Sequence, residues 1–230
     1  MEAIILAGGK AERLGDAAGG RPKALVEVAG KPLAAYQVAR LAKAGVTRVI
    51  FACAAGQGQL FLAELSGLGP EIVAAEEPER LGRGGAIKFA ATFRVEQGDV
   101  LALNGDELVD VDFAALLTAH EAGGALATIT VAQPRSQFGL VDVGDDDVVH
   151  GFREGGHVSF WVNCGNYVLS QEAVERFPDL GDHESSTFPE LAAEGRLRAY
   201  RHAGLWLTVN TPKELRTASE HVESHPEWLS

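Results

Sequence analysis

The chain has 230 residues, 46% of them hydrophobic, and carries 20 Lys and Arg against 32 Asp and Glu, a formal net charge of −12. That length suits one sizeable domain with a real core. The acidic balance argues against a nucleic-acid-binding surface, which needs a basic face, and no apolar stretch is long enough for a transmembrane helix. Residues 1–7 lack the positive n-region of a signal peptide. Cys53 and Cys164 are far apart inside apolar runs, as expected of two reduced core thiols. Together these features place the chain in the cytoplasm, away from membranes.

Strand-like and helix-like patterns alternate through the first half. Residues 3–7 are a short apolar run, read as a buried strand. A helical mixture over 33–44 is ended by Gly45. Residues 48–53 are β-branched and apolar, 59–65 helical, 71–74 a short strand, 84–93 a helix and 100–103 another buried strand. Asp112 caps a helix over 113–120. This rhythm argues for an α/β fold, a parallel sheet with helices on both faces. The second half changes character: 127–132, 139–143, 148–152 and 158–162 read as strands joined by Gly, Asp and Pro turns, a more antiparallel region laid against the first sheet. Next come strand 166–169, helices 170–176 and 186–194, strand 198–201, and a closing helix over 212–223 capped by Thr211. Neither a linker nor a repeat interrupts the chain, so 1–230 reads as one domain with two parts, 1–110 and 111–230.

In open parallel sheets, ligands bind beyond the carboxyl ends of the strands near a switch point. The first strand runs into Leu6-Ala7-Gly8-Gly9-Lys10-Ala11-Glu12-Arg13-Leu14. Two glycines after a strand let the backbone approach a ligand and offer N–H donors to phosphate oxygens. Arg13 and Lys23 flank the loop that follows, and two cations suit a triphosphate whose charge grows in the transition state. The loop lacks the Gly-Lys-Ser/Thr of a P-loop and the third glycine of a dinucleotide site. Gly56-Gln57-Gly58 matches the latter only partly, with Phe61 where a glycine is needed.

These residues, with Arg21-Pro22-Lys23-Ala24-Leu25-Val26 and Gly30-Lys31-Pro32-Leu33, resemble the signature of the sugar-1-phosphate nucleotidylyltransferases. Further matches follow in order: Leu81-Gly82-Arg83-Gly84-Gly85-Ala86, Asn104-Gly105-Asp106, Phe138-Gly139-Leu140-Val141, Phe152-Arg153-Glu154, Asn163-Cys164-Gly165-Asn166-Tyr167, and 206–215. The resemblance spans essentially the whole chain. It implies a Rossmann-like, GT-A-like mixed sheet flanked by helices, with a smaller antiparallel sugar-binding region. It also implies Mg²⁺-assisted transfer of a nucleotidyl group from a nucleoside triphosphate to a sugar 1-phosphate, with release of pyrophosphate.

By that resemblance Leu6, Gly8, Gly9, Arg13, Lys23, Gly82, Gly85 and Asp106 contact the nucleotide, and Arg13, Lys23 and Asp106 carry the catalysis. Asp106 binds the metal and Asn210 is its second ligand. A hard cation wants such oxygen donors. Gly139, Glu154 and Asn163 hold the sugar. Two positions depart from the pattern. Gly155 stands where a Lys follows the Glu, leaving Arg153 as a possible substitute, and Arg83 stands where a Thr is usual. For the base, Glu76-Glu77 occupies a stretch where uridylyl and thymidylyl enzymes tend to place a Gln. A carboxylate accepts from guanine N1–H and N2–H₂ together, whereas uracil offers it one donor. Glu77 therefore favours GTP, with UTP next.

Rival readings remain open. Asp110-Val111-Asp112 is a DxD tripeptide of the kind metal-dependent glycosyltransferases carry, although Asp112 also reads as a helix cap. A nucleotidyltransferase with a non-sugar acceptor, or a non-catalytic nucleotide-sugar-binding regulator, is the other alternative.

Overall fold

Residues 2–5 are fully buried, as a strand covered on both faces must be. In the computed structural model, which describes residues 1–136 and 138–228, they form β1 (Glu2–Leu6) at the centre of the molecule. The chain continues through the short strands β2 (Glu27–Val28) and β3 (Lys31–Pro32) into α1 (Leu33–Lys43). Then follow β4 (Arg48–Ala54), α2 (Gly58–Leu65), β5 (Glu71–Glu77), α3 (Gly82–Ala91), β6 (Val100–Asn104), β7 (Glu107–Val109) and α4 (Phe113–Gly123). The second half comprises β8 (Ala127–Ala132), β9 (Arg135–Ser136), β10 (Leu140–Val143), β11 (Val149–Arg153), β12 (Gly156–His157) and β13 (Val162–Leu169). It ends with α5 (Gln171–Glu175), α6 (Thr187–Ala193), β14 (Leu197–Arg201), β15 (Trp206–Thr208) and α7 (Pro212–Ser224). Asp112 caps α4 through Ala115 N–H, and Thr211 forms a reciprocal capping box with Glu214 at α7.

Seven strands make one sheet in the order β14-β8-β13-β6-β1-β4-β5. All neighbours are parallel except β13, which runs antiparallel to both β6 and β8. The mixed, mostly parallel sheet expected from the resemblance is therefore present. One expectation needs correcting: β8, β13 and β14 do not form a separate antiparallel region laid against the first sheet but extend it. What does stand apart is a two-stranded arm in which β9 pairs with β12 and β10 with β11. The strand expected over 158–162 is also absent. Residues 158–161 are irregular, with a bend at Ser159 and Phe160 and with Phe160 and Trp161 outward, and β13 begins only at Val162. The sequence reading of a strand over 71–74 was too short, because β5 carries its ladder through Glu77.

Side chains alternate across the sheet. Ala3 and Ile5 of β1 face one layer with Val38 and Leu41 of α1, Phe61 of α2 and Leu116 of α4. Ile4 faces the other, with Ile87 of α3, Val174 of α5 and Leu191 of α6. A third cluster packs Leu14, Val26, Leu108 and Val209 under Ala218 and Val222 of α7. Through it the loop after β1 is seated on the C-terminal segment. Trp228 is buried against this cluster beneath the Arg40 guanidinium, 4.9 Å from its ring.

Glu2 is a charge buried at the first position of the central strand. Its carboxylate accepts from Val95 N–H and Glu96 N–H at 3.0 Å and faces Arg94 Nε at 3.2 Å and Arg48 Nε at 3.5 Å. Removing one partner of a buried pair strands the other. Glu2→Ala is expected to lower the unfolding free energy by about 3–5 kcal/mol, read as a shifted urea midpoint with unchanged slope.

Candidate active site

Order along the sheet reverses at β1: β4 and β5 lie on one side of it and β6 on the other. The crevice beyond the carboxyl ends of β1 and β6 is such a switch point. Leu6 pairs with Asn104 there, so Gly8-Gly9 and Asp106 leave the sheet side by side. Gly105 makes the close approach possible: its N–H donates to Leu6 O at 2.9 Å, and a Cβ on it would stand 2.4 Å from that oxygen.

A cavity of about 750 Å³ opens at this point. Leu6, Gly8, Gly9, Lys23, Glu77, Gly82 and Asp106 line it, together with Lys10, Arg80 and Arg83. Lys23 Nζ donates to Asp106 Oδ2 at 2.5 Å and also to Asn210 Oδ1. Arg13 Nη2 donates to the same Asn210 oxygen at 3.1 Å. Residues 13, 23, 106 and 210 thus meet in space across nearly the whole sequence.

Local chemistry explains the meeting. β7 pairs antiparallel with β15, and Val209 N–H donates to Asp106 O at 2.9 Å. Glu214 accepts from the N–H groups of Asn210 and Thr211, which fixes the turn into α7. Next to Asp106, the half-buried Glu107 carboxyl accepts from Asn104 Nδ2 at 3.1 Å and Trp206 Nε1 at 3.0 Å. Burial, then the neighbouring Asp106, pushes Glu107 up to about 7. Gln37 donates to the backbone oxygens of Asn104 and Glu107. Glu107, Trp206 and Gln37 thus tie the Asp106 loop to its surroundings, a role that nothing in the sequence assigned to them, although Trp206 opens the 206–215 match.

Whether a divalent cation suits this place turns on its donors. Among the described residues no group of three or more His, Cys, Asp and Glu side chains is arranged to hold a metal. However, the Asp106 and Asn210 oxygens converge on one cationic atom, the Lys23 ammonium. Two hard oxygens sharing a positive charge fit a magnesium-type ion, which takes one or two protein ligands and completes its shell with water and substrate phosphates.

At the far end of the cavity Glu77 is buried, with 6% of its surface exposed, so it is not a solvated acidic turn. One oxygen accepts from Leu81 N–H at 3.0 Å. The other points at Gly8, where a Cβ would stand 2.9 Å away. Burial raises its pKa, and the Leu81 N–H and Arg80 oppose that shift. Glu76 points elsewhere and accepts from Gly56 N–H and Gly58 N–H. The partial glycine motif there is a turn closed by a carboxylate.

Not every residue singled out by sequence joins this cavity. Gly85 does not line it: its N–H donates to Gly181 O, and a Cβ on it would stand 2.4 Å from Asp179 O. Gly82 and Gly84 are held equally close to the 178–183 segment, so these glycines also let α3 pack on that loop. Gly139 and Glu154 sit on the two-stranded arm, and Glu154 is exposed and unpaired among the described residues. Asn163 is fully engaged, donating to Tyr167 Oη and Glu184 Oε1, both at 2.8 Å, and accepting from Gly165 N–H at 2.9 Å. Arg153 lines a different cavity, beside the arm. Unlike Arg153, Arg83 does line the main cavity, held by Asp182 at 2.5 Å and Glu184 at 2.7 Å. Glu184 thus joins Arg83 to Asn163 and Tyr167, and no sequence motif marked it.

Beside this network His183 is wholly buried, stacked on Phe177 at 4.7 Å with neither ring nitrogen hydrogen-bonded. Burial lowers its pKa to about 4. The unfolded chain takes up a proton near pH 6.5 and the folded one does not, so stability present above that pH is lost as pH falls toward 4. His183→Leu is expected to remove about 2 kcal/mol of the stability difference between pH 7 and pH 5, measured by denaturant titration at both pH values.

Comparison with known proteins bears on the family and the fold. Residues 2–225 match the family model described as nucleotidyl transferase. The chain is 31% identical over its full length to the mannose-1-phosphate guanylyltransferase catalytic subunit beta of Xenopus tropicalis, covering 68% of that protein. It is 31% identical, over 93% of its length, to the mannose-1-phosphate guanylyltransferase of Mycobacterium tuberculosis, covering 62% of that protein. The chain therefore spans about two thirds of the length of these relatives. Among solved structures, HddC from Yersinia pseudotuberculosis superposes with a TM-score of 0.75 at 25% identity, covering 96% of this chain and 98% of that one.

Proposed function

The chain belongs to the nucleotidyl transferase family, that of the sugar-1-phosphate nucleotidylyltransferases, and we propose that it transfers a guanylyl group from GTP to a sugar 1-phosphate. The single observation that carries this reading is the convergence of Arg13, Lys23, Asp106 and Asn210 at the carboxyl ends of β1 and β6. The naming of two relatives as mannose-1-phosphate guanylyltransferases supports guanine, as does the buried Glu77 carboxylate.

In the proposed reaction a phosphate oxygen of the acceptor attacks the α-phosphorus, the bond from that phosphorus to the bridging oxygen breaks, and pyrophosphate leaves. An ionised phosphate is nucleophile enough, so the protein contributes position and charge. The N–H groups of Gly8 and Gly9 stand where the phosphates enter. Lys23 has three ammonium donors and spends two on Asp106 and Asn210, leaving one for a phosphate oxygen. Arg13 approaches from the side of Asn210. Asp106 and Asn210 would hold Mg²⁺, which supplies Lewis-acid neutralisation of charge building on the triphosphate. Gly139, Glu154 and Asn163 lie outside the cavity. For them to hold the acceptor sugar the arm would have to approach it, and Asn163 would exchange its Tyr167 and Glu184 partners. Arg83 is the cation that lines the cavity beside Glu184.

Glu77→Gln tests the base assignment. It replaces a charged acceptor that can take both guanine donors, a contact worth about 1.5–3 kcal/mol. kcat/KM for GTP is expected to fall roughly 10–100-fold while that for UTP does not fall. An equal fall for both nucleotides would remove Glu77 from base recognition.

A further inference from the structure

The arm formed by β9, β10, β11 and β12 leaves the main sheet after β8 and returns at β13. It is only two strands wide, β9 pairing with β12 and β10 with β11, and among the described residues no third strand bonds to either edge. A two-stranded hairpin alone is marginally stable in water and needs something packed on it. Its apolar side chains nonetheless face outward. Val141 pairs with Phe152 and Val143 with Val149 across the ladder, so all four share one face. Phe152 is 66% exposed, Phe138 80% and Phe160 62%, and the three valines are about half exposed. Phe160 and Phe152 border one cavity with Val141, so the patch is continuous from the ladder to the 158–160 segment.

Val141, Val143, Val149, Phe152 and Phe160 together leave on the order of a few hundred Å² of apolar surface in water, the size of patch that on a monomer is often functional. A stable interface takes roughly 800 Å² from each partner, an apolar centre with a polar rim. The rim is present and has two signs. The tip of the arm is Asp145-Asp146-Asp147, and the base carries the exposed Arg135 and Arg153. Two arms laid antiparallel about a twofold axis would match apolar face to apolar face. They would also set each acidic tip against the partner's basic base, as an isologous contact requires.

We propose that this arm is the interface between two copies of this chain. The proposal does not depend on the substrate assigned above.

Sedimentation velocity at tens of micromolar protein tests it. The wild type is expected to run at twice its 24.3 kDa monomer mass. The double variant Val141→Asp with Phe152→Asp is expected to run as a folded monomer, its far-UV circular dichroism unchanged because both positions are on the surface. Arg135→Glu is expected to raise the dissociation constant about tenfold or more, and adding Asp145→Lys and Asp147→Lys to it to restore association. A monomeric wild type at this concentration would overturn the proposal. So would a dimer that survives the double variant, since another face would then hold it.

Discussion

Asp106→Ala is expected to cost about 4 kcal/mol in the barrier, a roughly 10³-fold loss of turnover at saturating Mg²⁺. The reason is positional. Asp106 is the carboxylate that the turn after β6 sets against Lys23 at the switch point, and its partner Asn210 is uncharged. Without Asp106 the pair keeps a single neutral oxygen, too weak a donor set for a hard cation. The fold should tolerate the change, because the loop is held by Glu107, Trp206 and Gln37. Single-turnover assays across a Mg²⁺ titration check this, and unchanged turnover would remove Asp106 from the reaction.

Lys23→Ala is expected to lower turnover about 10²–10³-fold, the usual loss for one preorganised donor facing developing charge. Lys23→Arg should recover little, because a planar guanidinium cannot place single donors on Asp106, Asn210 and a phosphate oxygen as an ammonium does. The effect should fall on kcat more than on KM, since charge on the leaving pyrophosphate grows as the bond breaks. A purely structural Lys23 would instead show itself as a lower melting temperature with kcat preserved.

Much of this architecture was legible in the sequence because local signals agreed. The apolar run of β1, the caps at Asp112 and Thr211, and the glycines after β1 each act over a few residues. The switch-point rule then placed Gly8, Gly9 and Asp106 together. Harder to read were features set by pairing at long range. The β7–β15 ladder brings Asn210 to Asp106 through a three-residue strand too short for any periodicity to betray. Glu184 and Glu107 are ordinary acidic residues in sequence, and only folding surrounds them with Asn163, Tyr167, Asn104 and Trp206. Exposed apolar residues misled in the opposite direction: residues 158–162 read as a strand, yet only Val162 joins one and Phe160 and Trp161 face outward. Gly85 was expected to face the nucleotide, yet it packs α3 on the 178–183 segment. Glycine permits close approach without saying to what.

Pyrophosphate release measured with Mg²⁺, crossing the four nucleoside triphosphates with a panel of sugar 1-phosphates, is the most direct test of guanylyl transfer. Release with GTP and one sugar 1-phosphate, at least tenfold above any other nucleotide, is the predicted result. No release with any pair, while GTP still binds measurably, would contradict it and turn attention to a non-sugar acceptor or a regulatory protein.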